Sequence, residues 1–357
     1  MKKSKRTRSI LVLMITGIVA LSSIFLYPYY TLYKAGNLEN ITGGSDQLSI
    51  FISEKIQFKD LGVYMKNNGW IRDEVSFNKV IKHKDKGNEW LLPGIQLIRK
   101  EWDNKTLVNQ LYLGRNLGEV EITFNHVRLK NELAERMCSL VSASKEEFEA
   151  LLNDSQFCSQ YGFNNETIMT MFLPDTYRVK YDMTAKELFD RMAQEYKKFW
   201  TESNLAKAKS VGLSQSEISI LASLVQAEQS RKVDEQPIIA GLYLNRLSQG
   251  MRLESDPTLV FAHGDFTISW VKNEHKEIIS PYNTYLNAGL PPGPINLPEK
   301  SAIISVLNPA RHDYIFMCAK PETGGYHNFA KTYNQHLVYA RQYQKWNREF
   351  HRNKDSN

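Results

Sequence analysis

The spacing of apolar positions changes several times along the chain. Ser9–Tyr27 (SILVLMITGIVALSSIFLY) is mostly apolar, and no charged residue lies between Arg8 and Lys34. Lys34–Asp46 (KAGNLENITGGSD) is rich in turn formers and reads as a linker. From Leu48 the spacing shortens. Leu48, Phe51 and Ile52 predict a short strand, Phe58–Asn67 a short helix and Phe77–Lys84 a further helical patch. Trp90–Arg99 reads as a strand entered through a Pro-Gly turn. Strand and helix thus alternate over residues 47–100, which suits a small α/β module. A patterned segment follows at Thr106–Leu113. Val120, Ile122 and Phe124 alternate with Glu121 and Thr123, the signature of a strand or hairpin. Glu132–Leu140 and Lys145–Leu152 are helical, and Met171–Val179 is a compact turn-strand element. Ala185–Phe199 is an amphipathic helix with Leu188, Met192 and Tyr196 on one stripe.

A stronger signal begins at Ser214. Ser214-Gln-Ser-Glu217 has the form of a capping box before an apolar run, so a helix starts here and runs through Glu228. At ~100° per residue, Glu228 lies within about 20° of Leu221, 40° of Leu224 and 60° of Val225. A carboxylate on an apolar stripe is desolvated when charged, so its pKa rises, as a general acid near neutral pH requires. The competing reading is a buried Glu in a structural ion pair. Asp234-Glu-Gln-Pro237 opens a second helix, with Ile238, Ile239, Leu242, Tyr243 and Leu247 on its apolar side and Gly250 at its end. Asn245 and Arg246 sit mid-helix, as a solvated edge or as partners of a nearby carboxylate. Leu253–Thr258, with Asp256 before a proline, marks a turn. Ser280–Tyr285 gathers hydroxyls, an amide and two aromatic rings, and Gly289–Ile295 is stiffened by three prolines. A rigid rim of aromatic rings, hydroxyls and amides is what a sugar-binding cleft needs. His327 near the end carries no assigned role.

Charge sharpens this picture. The net charge of +6 comes largely from Lys2, Lys3, Lys5, Arg6 and Arg8; the remainder, with 40 basic (45 − 5) against 39 acidic residues, is close to neutral. No basic stripe suited to phosphates exists, so no nucleic-acid partner is expected. The basic cluster precedes the apolar run, which at ~1.5 Å per residue nearly spans a ~30 Å hydrocarbon layer. Residues 1–8 are therefore expected in the cytoplasm, 9–30 as a single transmembrane anchor and the body outside the membrane. A cleaved signal peptide is the competing reading, although the run exceeds the usual apolar core and no small-x-small site follows. Cys138, Cys158 and Cys318 lack metal-type spacing; free thiols and a Cys138–Cys158 bridge both remain open. Neither H-E-x-x-H nor G-x-S-x-G occurs, nor any P-loop or dinucleotide fingerprint, and no metal or cofactor is expected.

Five stretches together resemble the endolytic murein transglycosylase family, also called the MltG or YceG-like family. They are MFLPDTY (171–177), ILASLVQAEQ (220–229), IIAGLYLNRLSQGMRLESDPTLVFA (238–262), SPYNTYLNAGLPPGPI (280–295) and HNFAKTYNQH (327–336). The resemblance implies an α+β fold: a transmembrane helix, a linker (31–46), a LysM-like α/β subdomain (47–100), a connecting region (101–169) and a mixed α/β catalytic domain (170–347), with a polar tail at 348–357. The family's acidic motif often has two glutamates two residues apart; here the first is Gln226 and only Glu228 remains. Implied are an inner-membrane protein with an extracytoplasmic body, nascent peptidoglycan glycan strands as substrate, and peptidoglycan synthases or division proteins as partners. Glu228 is the expected catalytic residue, as the acid that protonates the glycosidic oxygen and then, as a carboxylate, as the base that accepts the proton of the MurNAc C6 hydroxyl. Residues expected to bind substrate are Gln226, Asn245, Arg246, Asp256, Thr258, Ser280, Tyr282, Asn283, Thr284, Tyr285, Pro291 and Pro292. The implied reaction cleaves the MurNAc–GlcNAc β-1,4 bond and closes a 1,6-anhydro ring. The rivals are a hydrolytic muramidase, with Asp256 or Glu235 as second carboxylate, and a non-catalytic glycan-binding scaffold of the wall-synthesis machinery.

Overall fold

The computed structural model describes residues 16, 22–43, 46–52, 54–91, 94–113, 119–322 and 324–354. The expected anchor at 9–30 lies largely outside them, as do residues 1–8. Residues 22–36 are helical (α1). Among the described residues no helix is long and apolar enough to cross a membrane. The chain divides into two compact units, the first comprising Met1–Val120 and Arg178–Asp182, the second Glu121–Tyr177 and Met183–Asn357.

In the first unit α1 is followed by β1 (Gln47–Ile52), β2 (Ile56–Gln57), α2 (Phe58–Asn67), α3 (Glu74–His83), β3 (Trp90–Leu91), β4 (Gly94–Arg99) and α4 (Asn104–Leu113). Strands β1 and β4 pair antiparallel, with Gln47 opposite Arg99 and Ile52 opposite Gly94. The core follows the two periodicities directly. Ile50, Ile52 and Ile98 come from the sheet, Phe58, Leu61 and Met65 from α2, Phe77, Val80 and Ile81 from α3, and Leu107, Val108 and Leu111 from α4. Helix α3 starts earlier than its apolar pattern, because the Asp73 side chain caps it by accepting from the N–H of Val75 and Ser76. The chief buried polar group is Asn104, whose amide donates to the Ala35 carbonyl (2.9 Å) and to Ser76 Oγ (3.0 Å) and whose Oδ1 accepts from Asn40 (3.1 Å).

The second unit runs β5 (Glu119–Phe124), α5 (Lys130–Cys138), α6 (Lys145–Asn153), α7 (Ser155–Gln160), a 3-10 turn (Ile168–Met171), β6 (Asp175–Lys180), α8 (Ala185–Phe199) and α9 (Glu202–Val211). It continues with α10 (Gln215–Glu228), a 3-10 turn (Val233–Glu235), α11 (Gln236–Ser248), α12 (Asp256–His263), a 3-10 turn (Asn273–Glu277), α13 (Lys300–Leu307), β7 (Phe316–Ala319), β8 (His327–Ala330) and α14 (Tyr333–Lys354). Strand β5 is not half of a hairpin: it pairs with β6, and the division between the units falls within both strands. The fold is mixed α+β. The three cysteines are free thiols.

Helix α10 is the hub of the second unit. Ser214 and Glu217 form the expected capping box. The helix is not amphipathic as read from its pattern: every residue from Ile218 to Gln226 is buried, because α9, α11, α12 and α13 all pack on it. Its small polar residues are spent locally. Ser223 Oγ donates to the Ile220 carbonyl (2.7 Å) and accepts from the N–H of Ile295 (3.1 Å), tying the proline-rich loop to the helix. The helix ends at Glu228, at the mouth of a cleft.

Candidate active site

Glu228 is the last residue of α10 and half-buried. Its Oε1 accepts two hydroxyls, from Tyr243 of α11 (2.8 Å) and from Ser255 (2.6 Å). Ser255 stands at the N-cap of α12 yet makes no side-chain cap bond, since its hydroxyl is turned to Glu228. Glu254, just before it, adopts a left-handed backbone (φ 50°), an uncommon conformation that functional sites tolerate.

Burial pushes the Glu228 carboxyl above its ordinary range. The hydroxyls of Ser255 and Tyr243 pull it part-way back, the negative charge of Asp256 raises it, and His327 lowers it. The net shift is upward. With Oε1 accepting both hydroxyls, Oε2 is the oxygen left to carry and deliver the proton.

Two cavities share Glu228 and Asp256 as wall residues. The larger, about 560 Å³, has apolar and aromatic walls that include Val260, Phe261, Phe266 and Trp270, together with Gln226, His126 and Arg128. The Arg128 guanidinium lies 4.7 Å from the Phe266 ring centre. The smaller, about 380 Å³, is lined by Tyr243, Arg246, Tyr285, Phe316, His327 and His336 among others.

Of the residues expected to bind substrate, the structure brings Gln226, Arg246, Asp256 and Tyr285 to these cavities. Asp256 is exposed and accepts from the Tyr285 hydroxyl (2.6 Å). Gln226 is held by the N–H of Glu299 (2.7 Å) and by Asn296 (3.4 Å). Arg246 is a structural clamp. Its Nε donates to the Ile315 carbonyl (2.6 Å), and its Nη1 to the carbonyls of Arg252 and Leu253 (both 3.0 Å) and to the Glu254 carboxylate (3.1 Å).

The other expected contacts lie elsewhere. Thr258 and Thr284 are buried and bonded to each other (2.8 Å); Thr284 Oγ1 also accepts from the N–H of Ser255 (3.0 Å) and Thr258 donates to its carbonyl (2.6 Å). They brace Ser255 rather than face a ligand. Asn283 is spent on the carbonyls of Lys276 and Ile278 (2.9 and 2.8 Å). Ser280 is a turn residue that accepts from the N–H of Tyr282 (3.2 Å). Tyr282 donates to Glu166 (2.8 Å), and Gly293 approaches this pair so closely that an added Cβ would sit 2.4 Å from the Glu166 carbonyl. Asn245 is taken up by the carbonyls of His312 and Tyr314 (2.8 and 3.0 Å). Pro291 and Pro292 line a separate hollow beside the start of α10. Polar side chains that suit sugar recognition are also those that satisfy loop backbone, and at these positions their bonds do the latter.

Tyr243 and Ser255 were not singled out from sequence as partners of Glu228. A Tyr within an otherwise aliphatic helix face was the available sign, since a buried phenol requires a partner. Glu235, a candidate second carboxylate, is buried and fully engaged. It accepts from Gln229 Nε2 (2.8 Å), the His327 N–H (2.9 Å) and His327 Nδ1 (2.9 Å).

The family model of the YceG-like family matches residues 50–342. The chain belongs to the YceG-like family. Similar proteins include the endolytic murein transglycosylase of Bacillus subtilis, 28% identical over 286 residues, which cover 76% of this chain and 78% of that protein. A second is the endolytic murein transglycosylase of Streptococcus pneumoniae serotype 2, 26% identical over 306 residues. That match covers 78% of this chain and 55% of the relative, so the chain spans about half the pneumococcal protein. A solved yceG-like protein from Listeria monocytogenes shares the fold, with a TM-score of 0.56 at 22% identity over 83% of this chain and 99% of that one. The cleft described above thus belongs to a YceG-like chain.

Proposed function

We propose that this YceG-like chain is an endolytic peptidoglycan lytic transglycosylase that cuts the MurNAc–GlcNAc β-1,4 bond. One observation carries the assignment of the acid: Glu228 is a carboxyl whose pKa is raised by burial, hydrogen-bonded on one oxygen only, at the wall shared by two cavities. Glu228 donates its proton to the glycosidic oxygen as the C1–O bond breaks and C1 acquires oxocarbenium character. The C6 hydroxyl of the same MurNAc then closes on C1, forming the 1,6-anhydro ring, and its proton passes to the Glu228 carboxylate, which regenerates the acid. No water is consumed, so a single acid suffices where the nucleophile belongs to the substrate. Two cavities that both include Glu228 in their walls offer room for saccharides beside the cut, which supports cleavage within a strand.

The remaining elements of the reading concern placement. Residues 9–30 anchor the chain in the inner membrane with the N-terminus cytoplasmic, and residues 47–100 form a LysM-like subdomain, supported by their alternation of strand and helix. The substrate is nascent glycan, and peptidoglycan synthases or division proteins are the partners.

Digestion of glycan strands with wild type and Glu228→Gln, followed by mass spectrometry of the ends, tests the reaction. Anhydro ends made by wild type and not by the variant are expected. Asp256, beside Glu228 in both cavities, supports a hydrolytic muramidase as the second reading. Reducing ends from wild type would establish that instead.

A further inference from the structure

The transglycosylase reading leaves open how the acid meets one of two alternating bonds. Every linkage in the strand joins sugars of like size, and only the one from MurNAc C1 is cut. The two sugars differ at C3, where MurNAc carries a lactyl ether. Its carboxyl is free in a denuded strand; otherwise it is joined to a stem peptide that has carboxylates of its own. A carboxylate on that side marks MurNAc, and GlcNAc has none. Reading the mark takes a cation with free donors on the wall that holds Glu228.

Arg128 on the wall of the larger cavity is such a cation. It lies in the loop between β5 and α5, which is fixed at both faces. The N–H of Leu297 donates to the Val127 carbonyl (2.8 Å), and the N–H groups of Arg128 and Leu129 donate to the Glu132 carboxylate (2.7 and 3.1 Å). His126, on the same wall, has a left-handed backbone (φ 52°), a costly conformation that functional sites retain. The Arg128 guanidinium is held by the Phe266 ring and not by an acid, an attraction that leaves its N–H donors uncommitted. Among the described residues no carboxylate or carbonyl takes them. Lys130 differs. In the hollow that adjoins the cavity at Arg128 and Phe261, its amino group is taken by the Leu152 carbonyl (2.8 Å) and Asn153 (2.9 Å). Asp256 in the cavity and Glu166 in the hollow repel an anion, and Arg128 is the group that offsets them. Trp270 completes the wall and is 65% exposed. An indole left open in a cavity that holds a carboxylic acid offers a platform for the apolar face of a sugar.

We infer that Arg128 reads a carboxylate on the C3 side of MurNAc while Trp270 carries the sugar ring, so that the larger cavity sets which bond meets Glu228. The inference rests on the transglycosylase reading, which makes MurNAc the sugar. A guanidinium donates two parallel N–H bonds to a carboxylate, a geometry that no neutral hydroxyl reproduces. The carboxylate belongs to the lactyl group or to the stem peptide, and the two share one chemistry.

The test measures binding to the full chain carrying Glu228→Gln, which keeps the strands whole. The probes are uncrosslinked strands with their peptides, strands stripped of peptides by an amidase, and stripped strands whose lactyl carboxylates are capped as primary amides. Adding Arg128→Ala should raise Kd about ten- to a hundredfold, the scale of a charge-assisted pair, on probes that carry the carboxylate and not on capped strands. Loss confined to the first probe assigns the peptide carboxylate, and loss on the second the lactyl one. Arg128→Lys should recover part of the affinity. Trp270→Ala should weaken all three probes, by about fivefold; unchanged binding would overturn its part. Unchanged Kd on both charged probes after Arg128→Ala would overturn the inference. So would equal weakening on all three, the mark of an arginine that only shapes its loop. The transglycosylase reading fails by a different result: strands still cut by Glu228→Gln, or reducing ends left by wild type, whatever the Kd values are.

Discussion

The two units bury polar atoms for opposite purposes. In the first, Asn104 joins α4 to Asn40, Ser76 and a carbonyl in the last turn of α1, and apart from these and Gln96 the buried side chains are apolar. Its polar network serves backbone that is already placed by two regular periodicities. In the second, buried Gln229, Glu235, Arg246, Ser255, Thr258 and Thr284 surround the end of one helix. Arg246 clamps the neighbouring loops, and the bonds of the others converge, directly or through one neighbour, on Glu228 and His327. Each such group is costly to bury unless it is bonded. A core of this kind is built for geometry, whereas the core of the first unit is built for cohesion.

Substitutions should divide along the same line. Glu228→Gln is expected to have the largest effect, a loss of about 10²–10⁴ in turnover, read from anhydro ends released per folded molecule. The same change should raise the melting temperature at neutral and alkaline pH. A carboxyl whose folded pKa is raised stabilises the fold most below its unfolded pKa and loses that contribution as pH rises through the folded value. Gln does not titrate, so thermal melts across pH check the sign.

Phe77→Ala comes next. It removes a fully buried ring from the first unit and should cost about 3–5 kcal/mol, seen in denaturant unfolding, with turnover per folded molecule unchanged. A comparable loss of chemistry would break the comparison. Thr284→Val strands the Ser255 N–H, a cost of about 1–3 kcal/mol, removes the hydroxyl beside Thr258, and should lower turnover as well. Ser255→Ala is the mildest. It removes a hydroxyl that favours the Glu228 carboxylate, so the alkaline limb of the pH–rate profile should move upward while the protein stays folded. A downward shift would mean that Ser255 does not act through the Glu228 charge.

How legible the molecule was from its sequence follows the same division. Helix α8 falls on the residues its stripe marks, and the capping box at Ser214 starts α10, because these signals are local. The partner of β5 was not legible, since β6 lies far along the chain and a strand pattern carries no address. The apolar run of α10 read as one stripe because periodicity cannot reveal that four neighbours will surround a helix. Glu228 stood out by type and position. Its hydroxyl donors did not: Ser255 resembles an ordinary N-cap and Tyr243 an ordinary core residue until the chain folds. Thr258, Asn283 and Thr284 have side chains of the kind that bind sugars, and their spending on internal bonds is visible only once the chain folds.

The Arg246 clamp has a consequence for synthesis. Its guanidinium reaches residues 252–254 on one side and Ile315 on the other, and the Glu235–His327 pair likewise waits for a late segment. A ribosome delivers the chain from its N-terminus, so the acid emerges about a hundred residues before the strand that completes its surroundings. A nascent or prematurely terminated chain would carry Glu228 without its cutting power. An enzyme that severs the wall of its own cell is thereby armed only at the last stage of its manufacture.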